Sequence, residues 1–401
     1  MRATRPNVMY AMAMLLLACA TLCGLGSARA ETPLLRGTGD LGIIVERATG
    51  SLLVIDASKR SVISRVEGLG DLSHASAVIS PDARYAFVFG RDGGLTKVDL
   101  LTSAIANRVV QAGNSIGGAI SDDGRLIAVA NYEPGGVKVF DSETLALVAD
   151  IPATWSGGRS KTVGLEDVPG RRFLVSLWDA GETWLLDFAK GSVPEVTRLG
   201  QIGKQPYDAL VSTDGRYYIA GLFGEDGMTL IDMWQTPLAP RRILGGYGRG
   251  ETQLPVYKMP HLEGWALAGD RFVLPAIGRH ELLWIDARTF EEVRRTKVHG
   301  QPVFAVARPD GRHVWVNFAH PANDTIQVID SLDGSIVKEL KPGPAVLHME
   351  FTPRGHEVWV SVRDSNVVQV YDTRTFEKKA EIAAKSPSGI FLTARAFRTG
   401  L

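Results

Sequence analysis

The sequence predicts an all-β chain closed into an eight-bladed β-propeller, on two repeating signals and one compositional one. Eight short β-rich runs end in Asp: Leu53–Asp56, Thr96–Asp99, Lys138–Asp141, Trp184–Asp187, Thr229–Asp232, Leu283–Asp286, Gln327–Asp330 and Gln369–Asp372. Successive Asp residues lie 43, 42, 46, 45, 54, 44 and 42 positions apart, a period that suits one four-stranded blade. Between these runs sits a turn of Asp-Gly-Arg type. It is seen at Asp82-Ala83-Arg84, Asp123-Gly124-Arg125, Asp214-Gly215-Arg216 and Asp310-Gly311-Arg312, and more weakly at Pro169-Gly170-Arg171, Gly269-Asp270-Arg271 and Arg354-Gly355-His356. Each turn parts two apolar runs, as a hairpin turn does. Hydrophobic residues make up 45% of the 401-residue chain, enough for a large core, and 43 Gly with 20 Pro supply the turns.

Taken in order, residues 1–30 read as an export signal. Arg2 and Arg5 give a positive start, Val8 to Leu25 is mostly apolar, and Ala28-Arg29-Ala30 offers a cleavage site. Leu16-Leu17-Ala18-Cys19 is a rival, resembling a lipobox that would leave a lipid anchor on Cys19. Cleavage after Ala30 is favoured, because Thr32-Pro33-Leu34 then runs straight into the first strand. Both sites would export the protein. Cys19 and Cys23 are the only cysteines, so a domain starting at Glu31 carries no disulfide, thiolate metal site or cysteine nucleophile. Covalent c-type haem is excluded too, since no C-x-x-C-H occurs.

Residues 31–401 then form one propeller without a linker or low-complexity segment. Seven turns serve eight Asp-ended strands, so the first blade lacks an inner strand of its own. Ser388-Gly389-Ile390-Phe391-Leu392-Thr393 has the character to supply it, joining the N- and C-terminal strands and leaving no open sheet edge. The alternative is seven blades and an extra hairpin. Lys plus Arg and Asp plus Glu each number 44, so no global field favours nucleic acid or an anionic membrane as partner.

The inner strand of each blade lines the central axis, and its start opens on one face. The residue ten before the last residue of each turn gives the ring His74, Ser115, Lys161, Pro206, His261, Pro302 and Val346 for blades two to eight. Blades two and six of eight are opposite, so His74 and His261 face one central volume. Taken singly, each is an ordinary loop histidine; their matched phase is what distinguishes them. Histidine is the common protein ligand of haem iron and titrates near neutrality. An opposed pair suits one axial ligand and one distal acid, base or second ligand, with a tetrapyrrole between.

His280, on a turn of blade six, and His348, two residues past the ring position of blade eight, are further candidates; His299, His313, His320 and His356 have no such phase. Arg91 follows the His74 strand, and Arg159, Lys161 and Lys204 lie near ring positions; arginine above all suits the peripheral carboxylates of a macrocycle, although singly each reads as a solvated charge. Asn114, Ser115, Tyr207 and Asp208 sit where short polar groups reach such a ligand, and Trp155 and Trp265 are aromatics able to stack on it or simply to pack. Gly37-Thr38-Gly39-Asp40-Leu41-Gly42 matches a dinucleotide fingerprint only in letters, because a strand rather than a helix follows it.

Along nearly all of its length after residue 30 the chain resembles the NirF family of heme d1 biosynthesis proteins. The runs Gly68–Ser76, Phe89–Asp99, Gly113–Gly118 and Asn131–Gly136 carry the likeness. It is more distantly similar to the d1 domain of cytochrome cd1 nitrite reductase and to NirN. The resemblance implies His74, ahead of Arg84-Tyr85, as axial ligand of heme iron. Pro260-His261 looks like one distal histidine of the reductase, whereas Tyr207-Asp208 stands where the other would be. That departure, and the missing c-haem motif, argue against nitrite reduction.

What the resemblance implies is non-covalent binding of heme d1 or a late precursor, with the reductase and a NirN-type protein as partners and a homodimer in keeping with the family. Three readings follow. A maturation enzyme would use His261, Tyr207 or Asp208 to move protons in an oxidation and would turn over with an electron acceptor. A carrier would bind the pigment without converting it, and a protein-binding scaffold would bind no pigment.

Overall fold

In blades two, five and seven the two repeating sequence signals are the two halves of one contact. In the computed structural model, which describes residues 37–246 and 265–394, the Arg of the turn reaches back to the Asp that ends the third strand of its own blade. Arg84 meets Asp99 at 2.8 Å, Arg216 meets Asp232 at 2.8 Å, and Arg312 pairs with Asp330. The arginines are well exposed, so these pairs add little stability. The Asp has a second task. Asp99 accepts the backbone N–H of Leu101 at 2.9 Å, and Asp372 those of Arg374 and Thr375, both at 2.9 Å. Each Asp thereby closes the turn into the outer strand.

Eight antiparallel four-stranded sheets result. Blades two to eight run from inner to outer strand over Ser76–Val110, Asn114–Ile151, Thr162–Leu199, Pro206–Ile243, Ala266–Lys297, Pro302–Leu340 and Val346–Ala383. A small hairpin, Thr154–Trp155 with Gly158–Arg159, is added between blades three and four. Middle strands are sandwiched between neighbouring blades and read as continuous apolar runs, such as Ala86–Phe89 and Ile127–Ala130, all buried. Outer strands such as Ser61–Val66 face water on most positions.

Blade one is composite. Leu41–Glu46, Ser51–Asp56 and Ser61–Val66 come from the start of the described chain, and Pro387–Leu392 from its end forms the inner strand. Gly42 pairs with Leu392, Ile43 with Phe391 and Ile44 with Ile390. A Cβ on Gly42 would stand 2.7 Å from the Leu392 side chain and 3.0 Å from the Phe391 carbonyl oxygen, so glycine permits the approach. Ile390 and Leu392 are buried beside Ile44, Leu53 and Ile55.

The proposed export segment, with Cys19 and the Ala30 site, lies outside the described residues, and so does His261.

Glu46 secures the seam. Its buried carboxylate accepts from Arg65 at 2.7 Å, from the backbone N–H of Lys385 at 2.7 Å and from Ser51 at 2.8 Å. Burial pushes its pKa up, but the Arg65 guanidinium and the two neutral donors outweigh this and hold it below the usual glutamate value. A depressed folded pKa gives stability that is present above the unfolded value of about 4.3 and is lost as pH falls through the folded one. Glu46→Gln is therefore expected to cost about 2 kcal/mol at pH 7. The difference from the parent should shrink below about pH 4. Urea denaturation at the two pH values measures both effects.

Candidate functional site

Antiparallel pairing sets the start of each inner strand beside the end of its second strand, as in Ser76 with Phe89 and Val346 with Val362. The starts of the inner strands and the loops after the second strands thus share one face. Along the axis below that face lies a cavity of about 610 Å³, lined by inner strands from every blade but six, where Trp265 contributes instead. That volume suits a cofactor-sized ligand.

His74 stands exposed at the mouth and lines the cavity. The loop before it is firmly tied. Leu69 and Leu72 are buried, the Asp71 side chain accepts the Ser73 N–H at 2.8 Å, and the Asp71 carbonyl accepts the Arg91 N–H at 2.8 Å. Arg108 bridges Asp92 at 2.9 Å and the Leu69 carbonyl at 3.2 Å. Gly70, at φ +85°, leaves no room for a side chain, since a Cβ would lie 2.2 Å from Asp92.

The rest of the wall is shaped by irregular pairing. In blade five Pro206 pairs with Leu222 but Ala209 with Ala220, so one extra residue is fitted at Tyr207-Asp208. The same one-residue bulge falls at Val303-Phe304 in blade seven, at Leu347-His348 in blade eight and at Ser388-Gly389 in blade one. Inner strands of blades three and four are bulged as well. A bulge re-aims side chains and leaves backbone groups unpaired, and the second strands supply partners for them. Asn317 accepts the Phe304 N–H at 2.9 Å and donates to the Val346 and Leu347 carbonyls, both at 3.1 Å. Ser361 accepts the His348 N–H at 2.8 Å.

Tyr207 is held from several sides. Its ring meets Trp178 edge-on at 5.5 Å, with Phe223 beyond it, and its hydroxyl accepts from Tyr132 at 3.1 Å. Burial raises both phenol pKa values, Tyr207 the more, and the Asp208 charge adds to this against the opposing pull of Arg91. Both therefore stay protonated at neutral pH. Gly164, at φ +30°, packs under the bulge, where a Cβ would lie 2.2 Å from the Tyr207 carbonyl oxygen. His348 accepts the Ile390 N–H on Nδ1 at 2.9 Å, so its neutral ring carries hydrogen on Nε2. Phe391 and Phe304 flank it at 5.7 and 6.2 Å.

Of the residues singled out from sequence, His74, Tyr207, Asp208, His348 and Trp265 line this one cavity. Arg91 stays exposed at the mouth, within electrostatic reach of Tyr132, Tyr207 and Asp71. The others lie off the wall. Ser115 is buried and donates to the Gly90 carbonyl at 2.7 Å, a scaffold contact. Asn114 is half-buried, with its Oδ1 unpartnered. Lys161 is exposed, 4.0 Å from Asp179, and exposed Lys204 gives its backbone N–H to Glu225 at 2.9 Å. His280 caps an exposed turn at φ +54°. Trp155 and Arg159 belong to the added hairpin.

The wall also contains residues that sequence phase missed, namely His320, Arg363, Glu166, Asp167 and Glu350. His320 and Arg363 follow second strands, which the ring count did not sample. The carboxylates sit deeper along inner strands. A signal for the bulges did exist, in the lone polar residue of Val314-Trp315-Val316-Asn317-Phe318 and of Val358-Trp359-Val360-Ser361-Val362.

Comparison with known proteins adds the following. The family described as cytochrome D1 heme domain matches residues 36–396. The chain is 61% identical over 381 residues to Protein NirF of Stutzerimonas stutzeri, covering 94% of this chain and 97% of that protein. It is 58% identical over 374 residues to Protein NirF of Pseudomonas aeruginosa, covering 92% and 95%. Among solved structures it is similar to the dihydro-heme d1 dehydrogenase NirN in complex with DHE, with a TM-score of 0.79 at 26% identity, over 91% of this chain and 78% of that one.

The packing of Gly164 under the Tyr207-Asp208 bulge is open to direct test. Gly164→Ala should push the bulge out of register and cost about 1–3 kcal/mol. Thermal denaturation followed by circular dichroism gives the loss. Quenching of the Trp178 fluorescence beside Tyr207, compared between parent and variant, should change with it.

Proposed function

Since the chain belongs to the cytochrome D1 heme domain family, as one of its NirF proteins, we propose that its axial cavity binds heme d1 or a late precursor non-covalently and acts in a late, dehydrogenation-type maturation step. The observation that carries this reading is the convergence of His74 from blade two with Tyr207 and Asp208 from blade five on one cavity of about 610 Å³. The residues present fit a flat, iron-bearing macrocycle. An imidazole stands at the mouth, Phe304 and Phe391 give apolar wall, and Gly117 and Gly389 line the cavity without side chains. When bound, the tetrapyrrole supplies the iron and the conjugated system to be oxidised.

The chain's own residues then bind, orient and move protons. His74 would hold the iron through its imidazole. Tyr207, kept as a phenol by burial, offers a hydrogen-bond donor, and the Asp208 carboxylate beside it is the candidate proton acceptor. His261 keeps the distal role read from its phase in the sequence. Arg91 at the mouth is suited to a peripheral carboxylate. Export through residues 1–30 would put the protein in the periplasm, with cytochrome cd1 nitrite reductase and a NirN-type protein as partners. A carrier role, delivering the pigment to the reductase, is the second reading. It is favoured by the lack of a C-x-x-C-H haem motif in the sequence to take electrons away.

A visible-absorption titration of the purified protein with heme d1 and with its dihydro precursor tests the reading. The parent should shift the pigment bands, and His74→Ala should abolish the shift. Slow conversion of precursor bands in the presence of an electron acceptor supports the enzyme, whereas a static spectrum supports the carrier. A parent protein that binds neither pigment sinks both.

A further inference from the structure

We propose that Tyr132 is a positioning residue that turns the Tyr207 hydroxyl hydrogen into the cavity, where it meets an oxygen acceptor on the rim of the bound ligand. The inference rests on the tetrapyrrole-binding reading and adds a residue that neither spacing nor resemblance assigns.

Tyr132 ends the second strand of blade three, Leu126–Glu133, and is half-buried. Tyr207 starts the inner strand of blade five and is 9% exposed. The Tyr132 hydroxyl donates to the Tyr207 hydroxyl at 3.1 Å, across the width of blade four. A phenol oxygen that accepts a hydrogen bond must aim its own hydrogen elsewhere. Among the described residues the Tyr207 hydroxyl donates no hydrogen bond of its own. The ring cannot swing away to find one, because Trp178 braces its edge at 5.5 Å and Gly164 fits against its carbonyl. The remaining direction is the cavity that Tyr207 lines.

Two consequences follow for the ligand. A shielded O–H without a partner is unfavourable, so an acceptor brought in by the ligand is rewarded. A hydroxyl that already accepts a hydrogen bond is also a stronger donor. Because both tyrosines stay protonated, with burial outweighing the nearby Arg91, the pair presents a donor and not a phenolate. The group it selects is a carbonyl or carboxylate oxygen on the macrocycle rim. A ligand edge bearing only carbon at that point would leave the donor unsatisfied.

A double-mutant cycle with Tyr132→Phe and Tyr207→Phe separates positioning from packing, since each change keeps the ring and removes only the hydroxyl. Affinities for heme d1 and for protohaem are read by absorption titration, with thermal denaturation as the check on folding. Each single variant should bind heme d1 about five-fold more weakly. The double variant should be no weaker than Tyr207→Phe alone, because Tyr132 acts only through Tyr207. A loss seen with both pigments assigns the acceptor to a carboxylate, which both carry; a loss confined to heme d1 assigns it to a ring substituent. Additive losses, or a Tyr132→Phe protein that binds as tightly as the parent, overturn the proposal while leaving pigment binding intact. A parent that binds neither pigment overturns the functional reading and this inference together.

Discussion

Ring closure is the constraint on which the rest depends. The eight sheets can share one axis only if blade one borrows its inner strand from the far end of the chain, Pro387–Leu392. That strand has no other source of backbone partners, and Leu41–Glu46 would otherwise present an open edge. Several contacts of different kinds converge on the seam. Gly42 allows the close approach, Ile390 and Leu392 fill the core beside Ile44, and Thr393 donates to the Leu41 carbonyl at 2.8 Å. Closure also finishes the site. His348 takes its Nδ1 hydrogen bond from Ile390 of the borrowed strand, and its ring leans on Phe391 of the same strand. The cavity wall at blades eight and one thus exists only in the closed ring.

Closure alone would give a channel lined by regular alternation, in which every second residue of an inner strand faces the axis. The bulges break that rule. One extra residue places Tyr207 and Asp208 together at the wall, and Leu347 with His348, where a regular strand would present one of each pair. Such irregularity is affordable because the second strand of the same blade holds the loosened backbone. Asn317 serves its own bulge and the next blade's carbonyls at once, which couples blades seven and eight. A polar residue in the middle of an apolar strand is costly unless fully bonded. Here it is bonded because the bulge freed the partners.

The architecture was legible because its signals are local and repeated. In every blade the Asp that ends strand three closes the next turn by accepting a backbone N–H, and in three it also meets the Arg of the preceding turn, as Arg84 with Asp99 and Arg216 with Asp232 show. The ring count likewise set His74 and, one residue from Pro206, the pair Tyr207-Asp208 at the cavity mouth. It failed for charge. Lys161 lies at a ring position and Lys204 two residues before one, yet both stay in solvent, each with its backbone N–H tied to a carboxylate of a neighbouring loop, Asp179 and Glu225. Position along a strand does not fix where a long flexible side chain ends. His320 and Arg363 were missed for the converse reason. They reach the cavity from loops after second strands, which the count of inner strands passes over.

The cavity is also asymmetric, in that one side of its wall is aliphatic and the other carries aromatic rings. On blades two and three the wall is aliphatic, with Ala75, Ala77, Gly117 and Ala119 among Val78, Ile79, Ile116 and Ile120, whereas blades seven, eight and one bring the rings of Phe304, His348 and Phe391. A planar ligand gains most by lying with one face against the aromatic side, where dispersion and offset stacking act. The other face of the ligand then lies toward the aliphatic side, below His74 at the mouth. The bulged pair Tyr207-Asp208 of blade five is the polar station facing the blade-one aromatic wall, four blades away around the ring. A hydrogen-bond donor held there by Tyr132 would meet a ligand edge and not its face. Stacking fixes the plane of a flat ligand and leaves its rotation within that plane free. One directed O–H at the rim is the least that removes that freedom, and Tyr207 is built into the inner strand to supply it.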